Sequence, residues 1–181
     1  MRRTLALVTV ASLVLPTSSQ TGPQPCPTTP TVVGYSSIFT LNSDMLFEAA
    51  RIGTGGEPMP PYIFTLCPNM DFDFDANSNN GTIVPLMPVL DGSIFQCGEQ
   101  GSQLDSCVFL GGNTQVTIED STIPGYPLET VEFRGITFAE FTDAAVAGGA
   151  DDTTNVFFVE SNFEVSIRPY LECILYITAH R

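Results

Sequence analysis

The chain has 181 residues, 43% of them hydrophobic, which is enough for one domain with a substantial core. Twenty acidic residues stand against six arginines and no lysine, so phosphate backbones and anionic lipid surfaces would repel the protein. We therefore expect neither nucleic acid nor membrane as a partner, whereas cationic partners and calcium stay open. Fifteen glycines, fourteen prolines and thirteen phenylalanines indicate an all-β fold.

The first twenty residues have the layout of a secretory signal peptide. Arg2 and Arg3 precede an apolar run over residues 5–15, and small residues follow at 17–19. This run is too short to cross a bilayer, and a membrane anchor or a buried strand is the alternative interpretation. With residues 1–20 removed, four arginines remain against twenty acidic residues, a net charge of −16. We therefore predict a secreted, strongly acidic protein.

Five cysteines follow the leader, and in an exported chain most of them should be oxidised. They are Cys26, Cys67, Cys97, Cys107 and Cys173. Cys97 and Cys107 flank a Gly/Ser/Gln loop that apolar packing cannot hold, so we predict a disulfide between them, worth about 2–3 kcal/mol. The pairing of the other three stays open. Metal binding is a competing use, but the sequence has no CxxC motif and its only histidine is His180.

Residues 21–41 are predicted to be a proline-rich leader and a first strand, which residues 32–40 could form. One helix is predicted over residues 43–52, at the start of a domain that spans residues 42–181. Ser43 is its candidate N-cap. The predicted apolar stripe consists of Leu46, Ala49, Ala50 and Gly53. Such a helix would cover the apolar end of a stack of strands.

Short strand-like runs dominate the rest of the chain, and one phrase occurs twice. VEFRGITF at residues 131–138 and VFFVESNF at residues 156–163 align without a gap, at an offset of 25 residues. Each alternates as a strand with one buried face must. Stepping by the same offset gives the series Ile83, Val108, Phe133 and Phe158, and a looser series gives Ile94, Ile118 and Val146.

Head-to-tail repeats of this length are typical of solenoids, in which each unit buries its apolar face against its neighbour. We therefore favour a parallel β-helix. The alternative is a β-sandwich, whose strands should be joined by tight hairpins. Only Asn80-Gly81 and Asp91-Gly92 provide the residues such hairpins need.

The repeated phrases, with Gly135 and Asn162 at their turns, and Ala144-Ala145-Val146 between them carry a resemblance. Together with TLCPNMDFDFD and SIFQCGEQGSQLDSCVFLGG upstream, residues 63–163 resemble the right-handed parallel β-helix of the pectin-lyase-like group. In particular, they are similar to secreted β-helix proteins of unicellular algae. The resemblance implies a short solenoid of about three to five coils, but a scaffold alone specifies no reaction.

Enzymes on this scaffold cleave polyuronides, and the resemblance therefore directs attention to acidic and basic side chains. The acidic doublets Asp151-Asp152 and Glu119-Asp120 are weak hydrolase candidates, since neighbouring residues on a strand point to opposite faces. Arg134 is the weak candidate for the base of a lyase. Glu132 lies on the same strand face, so an ordinary surface ion pair is the alternative.

Residues 71–79 place oxygen ligands at every second position, a pattern that suits Ca²⁺. The weak calcium candidates are Asp71, Asp73 and Asp75, followed by Asn77 and Asn79. A plain strand with Phe72 and Phe74 turned inward explains the alternation equally well. Asn80 begins an Asn-Gly-Thr sequon, which predicts glycosylation in an exported protein.

These observations predict a secreted, non-enzymatic β-helix protein that binds or is associated with extracellular polysaccharide or cell-wall material. We predict a non-enzymatic protein because the sequence has the pattern of this scaffold but no recognisable set of catalytic residues. The alternative is a polyuronide lyase or a glycoside hydrolase, or a truncated copy of one. We predict no cofactor, although calcium binding stays open as an alternative.

Overall fold

The computed structural model describes residues 22–76, 84–118, 126–148 and 154–164. They form one α-helix, α1 (Ile38–Gly53), a single 3₁₀ turn at Gln103–Asp105 and a set of short strands. The strands are β1 (Gln24–Pro25), β2 (Val33–Gly34), β3 (Tyr62–Leu66), β4 (Met70–Asp73), β5 (Ser93–Cys97), β6 (Cys107–Leu110), β7 (Thr114–Ile118), β8 (Thr130–Arg134), β9 (Ile136–Ala139), β10 (Ala144–Gly148), β11 (Asn155–Val159) and β12 (Asn162–Glu164).

Helix α1 begins earlier than predicted and buries a different face. Its N-cap is Ser37, whose hydroxyl accepts a hydrogen bond from the Thr40 backbone N–H, and not Ser43. The Ser43 hydroxyl instead donates to the Phe39 carbonyl inside the helix. The buried positions are Ile38, Leu41, Asn42, Met45 and Ile52, whereas Leu46 of the predicted stripe is 57% exposed. The strand predicted over residues 32–40 is therefore confirmed only over Val33–Gly34 and a single bridge at Tyr35, and it is wrong from Ile38 on, where the helix begins.

Two four-stranded parallel sheets contain eight of the twelve strands in the described residues. The strands of the first sheet lie in the order β3, β5, β8, β11, and those of the second in the order β4, β6, β9, β12. Each strand of the first sheet is followed along the chain by a strand of the second, so both sheets grow in the same direction. Among the described ranges only the short β1–β2 pair is antiparallel, and the hairpins that a β-sandwich requires are not found there.

Phenylalanine side chains stack from strand to strand inside the first sheet. Phe64, Phe95, Phe133 and Phe158 occupy equivalent positions and form what we call the phenylalanine column. Their ring centroids lie 5.2, 5.2 and 5.5 Å apart, and successive rings are nearly parallel. Since each buried Phe contributes about 1.5–3 kcal/mol, this column is a main source of stability.

The repeated phrase predicts the pairing of the last two strand pairs correctly. Phe133 aligns with Phe158, and Phe138 aligns with Phe163, in parallel register. Phe138 and Phe163 also stack, with ring centroids 5.1 Å apart. The alternation of buried and exposed residues in the two phrases thus corresponds to two layers of one continuous core.

The 25-residue spacing does not extend further back along the chain. Val108 lies in the second sheet, opposite Thr137, and not in line with Phe133. The neighbour of Phe133 on that side is Phe95. Ile83, the start of the predicted series, lies outside the described residues. The loops before β6 and β8 are longer than the later ones, and they change the spacing.

A small third sheet pairs β7 with β10, also in parallel. The second predicted series is wrong in register, since Val146 aligns with Val116 and not with Ile118. Ile94 does not belong to this sheet at all, because it lies in the first sheet beside Glu132. Most buried apolar side chains of all three sheets, together with Ile38, Leu41 and Met45 of α1, belong to one hydrophobic cluster.

Two disulfides join segments near one edge of this core. Cys97 and Cys107 are bonded, with their Cα atoms 5.6 Å apart, which is the predicted pair. Cys26 and Cys67, which the sequence left open, are bonded as well, with Cα atoms 5.3 Å apart. Cys173 lies outside the described residues. Two disulfides are compatible with an extracellular protein.

Candidate functional site

A pocket of about 340 Å³ opens where the chain enters three neighbouring strands of the first sheet. Its walls come from the end of α1, the proline-rich loop before β3, and the segments that precede β5 and β8. The lining residues are Ile52, Pro58, Pro60, Tyr62, Val89, Leu90, Asp91, Tyr126, Pro127, Leu128 and Glu129. Two aromatic rings, three prolines and two carboxylates thus face one concave space. A mainly apolar pocket with a few polar groups is the usual form of a small-ligand site.

The turn at Asp91 and Gly92 holds the two strand entrances together. Asp91 Oδ1 accepts hydrogen bonds from the backbone N–H groups of Glu129 at 2.7 Å and Thr130 at 2.9 Å. Gly92 has a φ of +70°, and a Cβ there would lie 2.8 Å from the Cβ of Pro60. Only glycine therefore allows the proline wall to approach this closely.

Tyr62 forms the side of the pocket next to the helix. Its hydroxyl accepts a hydrogen bond from the Met59 backbone N–H at 2.8 Å, which fixes the ring against the proline-rich loop. Ile52 and Leu90 are buried against each other next to it. Tyr126, on the opposite segment, is 41% exposed at the pocket rim. Tyr62 is therefore held by a protein hydrogen bond, whereas Tyr126 is open to solvent.

The charge of the pocket is negative. Asp91 uses only one carboxylate oxygen for its backbone contacts, and the Glu129 side chain is exposed and has no hydrogen-bond or ion-pair partner in the described ranges. The nearest described cation is Arg51, whose Nε donates to Glu48 at 2.8 Å. This hydrogen bond holds the pKa of Glu48 below its usual value. The Arg51–Glu48 pair is neutral as a unit, so the two pocket carboxylates are not compensated.

Arg134, the predicted lyase base, is held in an ion pair. Its Nε and Nη2 donate to the two carboxylate oxygens of Glu132 at 2.8 and 2.9 Å. This bidentate hydrogen bonding raises the pKa of the Arg134 guanidinium further above its ordinary value. A group that stays protonated cannot abstract a proton, and the surface ion-pair interpretation fits this geometry.

Two of the three calcium candidates, Asp73 and Asp75, accept hydrogen bonds from backbone N–H groups. Asp73 Oδ1 accepts from the backbone N–H groups of Asp75 at 2.8 Å and Ala76 at 2.9 Å, and Asp75 Oδ1 accepts from Gly112 at 3.1 Å. Phe72 and Phe74 are buried, as the plain-strand alternative expects, while Asp71 is exposed. Within the described ranges no three acidic, histidine or cysteine residues are grouped so that they could hold a metal ion.

Several predicted site residues lie outside the described residues. They are the doublets Asp151-Asp152 and Glu119-Asp120, the sequon residue Asn80 and His180. Asp143 is described and lies just before β10, where it accepts a hydrogen bond from Thr114 at 3.4 Å. It therefore belongs to the third sheet, whereas Glu132 and Arg134 lie on the first, and these groups do not share one site.

Sequence reasoning missed the pocket because its residues are separated by long stretches of chain. The sequence pattern at Asp91-Gly92 predicts only a possible hairpin turn. A usable signal was present: an Asp-Gly turn and a Tyr-Pro-Leu-Glu segment each come just before an alternating strand. In parallel sheets the starts of neighbouring strands meet at one edge, which brings such segments together.

No helix in the described ranges is both long and apolar enough to cross a bilayer. Comparison with protein-family models, with curated proteins and with solved structures finds no significant match to this chain.

Proposed function

We propose that the chain is a secreted, non-enzymatic protein built on a right-handed parallel β-helix, and that it binds extracellular polysaccharide in the pocket between Tyr62 and Tyr126. The observation that carries the proposal is this pocket, with its two aromatic rings and its two carboxylates. Aromatic rings pack against the apolar faces of sugar rings, and carboxylates accept hydrogen bonds from sugar hydroxyls.

The order of the strands supports the β-helix. Strands of the first and second sheets alternate along the chain, and each sheet adds its strands in sequence order. The phenylalanine column crosses four consecutive layers of the first sheet in register. Successive turns of one chain wound into a coil would have this arrangement.

The state of the charged residues supports binding over cleavage. A lyase needs a base that can lose its proton, and Arg134 is protonated and bound to Glu132. Asp91 is committed through Oδ1 to two backbone N–H groups that hold the pocket together. The proline wall and the hydrogen-bonded Tyr62 lower the ordering cost of binding, which suits a site that only has to hold a sugar.

A binding and cleavage panel tests the proposal. The full chain is incubated with neutral, amino-sugar and uronate polysaccharides, with and without calcium, and both binding and new chain ends are measured. We expect binding to at least one polymer and no new reducing or unsaturated ends. New ends that grow in proportion to protein concentration would establish the lyase or hydrolase alternative instead.

Two alanine variants locate the binding site. Tyr126→Ala removes an exposed ring from the pocket rim and should weaken polysaccharide binding about tenfold, or about 1.4 kcal/mol. Phe157→Ala removes a similarly exposed ring from the outward face of β11 and should leave the affinity unchanged. Equal losses in the two variants would show that the pocket is not the binding site.

A further inference from the structure

The charges around the pocket restrict the class of saccharide it can hold. Asp91 and Glu129 line the pocket, and no arginine or lysine is among the lining residues. Both described cations outside it are already matched, Arg51 by Glu48 and Arg134 by Glu132. A uronate chain would bring further negative charge to this surface, whereas a protonated amine would relieve the existing repulsion.

The aromatic residues of the pocket also favour a positively charged ligand. Tyr62 and Tyr126 both line the pocket, and the electron-rich face of a tyrosine ring attracts a cation placed over it. Tyr62 is fixed through its hydroxyl to Met59, so its ring does not have to be ordered when a ligand binds. A site that combines aromatic rings with uncompensated carboxylates favours a ligand that carries an ammonium group on an apolar frame.

Resting on the proposed polysaccharide-binding function, we infer that the pocket selects amino sugars with a free amine, such as β-linked glucosamine oligomers, over acetylated and uronate oligomers. The ammonium group binds between Glu129 and Oδ2 of Asp91, which accepts no hydrogen bond from the described residues. The carbon face of the same sugar packs on Tyr126. Glu129 is a specificity-determining residue, since its side chain supplies charge and makes no hydrogen bond or ion pair with the described residues.

Three oligomers of equal length test the inference with the full chain: glucosamine, N-acetylglucosamine and galacturonate. Calorimetric titration is carried out at about pH 6, where amines are protonated and carboxylates ionised. The glucosamine oligomer should bind about tenfold more tightly than the acetylated one, and the galacturonate oligomer should bind least. Added salt should weaken only the glucosamine complex, because charge screening leaves ring packing unaffected.

Glu129→Gln provides the matched variant, because it keeps the shape of the side chain and removes its charge. It should reduce the preference for the free amine about fourfold and leave the affinity for the acetylated oligomer unchanged. Glu99→Gln makes the same charge change on an exposed loop outside the pocket and should alter neither affinity.

Equal binding of the amine and acetylated oligomers would overturn the inference and leave the proposed function standing. A preference for the amine that survives Glu129→Gln would overturn the assignment to this pocket. Binding of none of the three oligomers would overturn this inference, whereas only a lack of binding to every polymer of the wider panel would overturn the proposed function.

Discussion

The ring of Phe133 stacks on the ring of Phe95 at a centroid distance of 5.2 Å and an interplanar angle of 15°. Phe133 is fully buried and lies at the centre of the phenylalanine column, with Phe158 on its other side. Phe133→Ala should therefore leave a cavity in the middle of the first sheet and lower the free energy of unfolding by about 3–5 kcal/mol. Urea denaturation measures this loss.

Phe157→Ala is the control for that experiment, because Phe157 is the chain neighbour of the column residue Phe158 but points outward. Its side chain is 42% exposed, so its removal should change the free energy of unfolding by less than about 1 kcal/mol. Similar losses in Phe133→Ala and Phe157→Ala would contradict the assignment of the two sheet faces.

The two disulfides should differ in their contribution to stability. The Cys26–Cys67 bond closes a sequence separation of 41 residues and the Cys97–Cys107 bond one of 10. In the chain-entropy model the longer loop is worth about 4 kcal/mol and the shorter about 2.7 kcal/mol. Replacing each pair by alanines and measuring the unfolding midpoint checks the order. A larger loss from the shorter loop would mean that contacts within the loops dominate.

The buried hydroxyl of Tyr35 predicts a pH dependence at the alkaline end. Burial raises the pKa of Tyr35 well above its usual value, and the hydrogen bond from its hydroxyl to Asp44 (2.8 Å) adds to the effect. A raised pKa in the folded state contributes stability below the unfolded pKa of about 10, which is lost as pH rises through the folded value. The free energy of unfolding should therefore fall above about pH 10.

Tyr35→Phe should remove this alkaline loss, at a cost of about 1 kcal/mol near neutral pH for the missing hydrogen bond. Tyr126→Phe alters an exposed tyrosine and should retain the alkaline loss of the unmodified protein. Denaturant midpoints at pH 8 and above pH 10 compare the three proteins. If the two variants follow the same pH curve, Tyr35 is not the group responsible.

Gly135 and Glu160 occupy matching turn positions, and substitutions there should have opposite effects. Gly135 has a φ of +67°, and a Cβ would lie 2.6 Å from the Gly101 carbonyl oxygen, so Gly135→Ala should destabilise by more than about 2 kcal/mol. Glu160 adopts a φ of +49° with a side chain, so Glu160→Gly should be neutral or stabilise by up to about 1 kcal/mol. Thermal unfolding of both variants measures the sign. A stability loss in Glu160→Gly would show that its side chain contributes more than the backbone strain removes.

The sequence predicts the pairing of strands correctly where the strands repeat at a constant spacing. The alignment of Phe133 with Phe158 is such a case, because one short turn separates the two strands of each phrase. The helix start was predicted wrongly because Ser43 and Asp44 resemble an N-cap and first turn, whereas Ser37 lies in a stretch of β-branched and aromatic residues. The burial of α1 depends on tertiary contacts that local patterns do not report.

The pocket was beyond prediction for a different reason. Tyr62, Asp91 and Glu129 lie on three separate strand entrances, and only the register of the first sheet brings them together. That register depends on the lengths of the loops between strands. A constant repeat of 25 residues does not describe these loops, so it cannot place the three residues together. For Arg134 the structure shows the ion pair with Glu132, the alternative to a lyase base, because the two residues lie two positions apart on one strand face.

The distances along the chain between members of the phenylalanine column are unequal: 31 residues from Phe64 to Phe95, 38 from Phe95 to Phe133 and 25 from Phe133 to Phe158. The stacked positions stay aligned despite this difference, so connections of different lengths are compatible with the same stacking. The segment that carries Tyr126 and Glu129 belongs to the longest of these connections. We therefore expect that changes in the length or sequence of this connection can alter the pocket wall while the phenylalanine column beneath it stays in register.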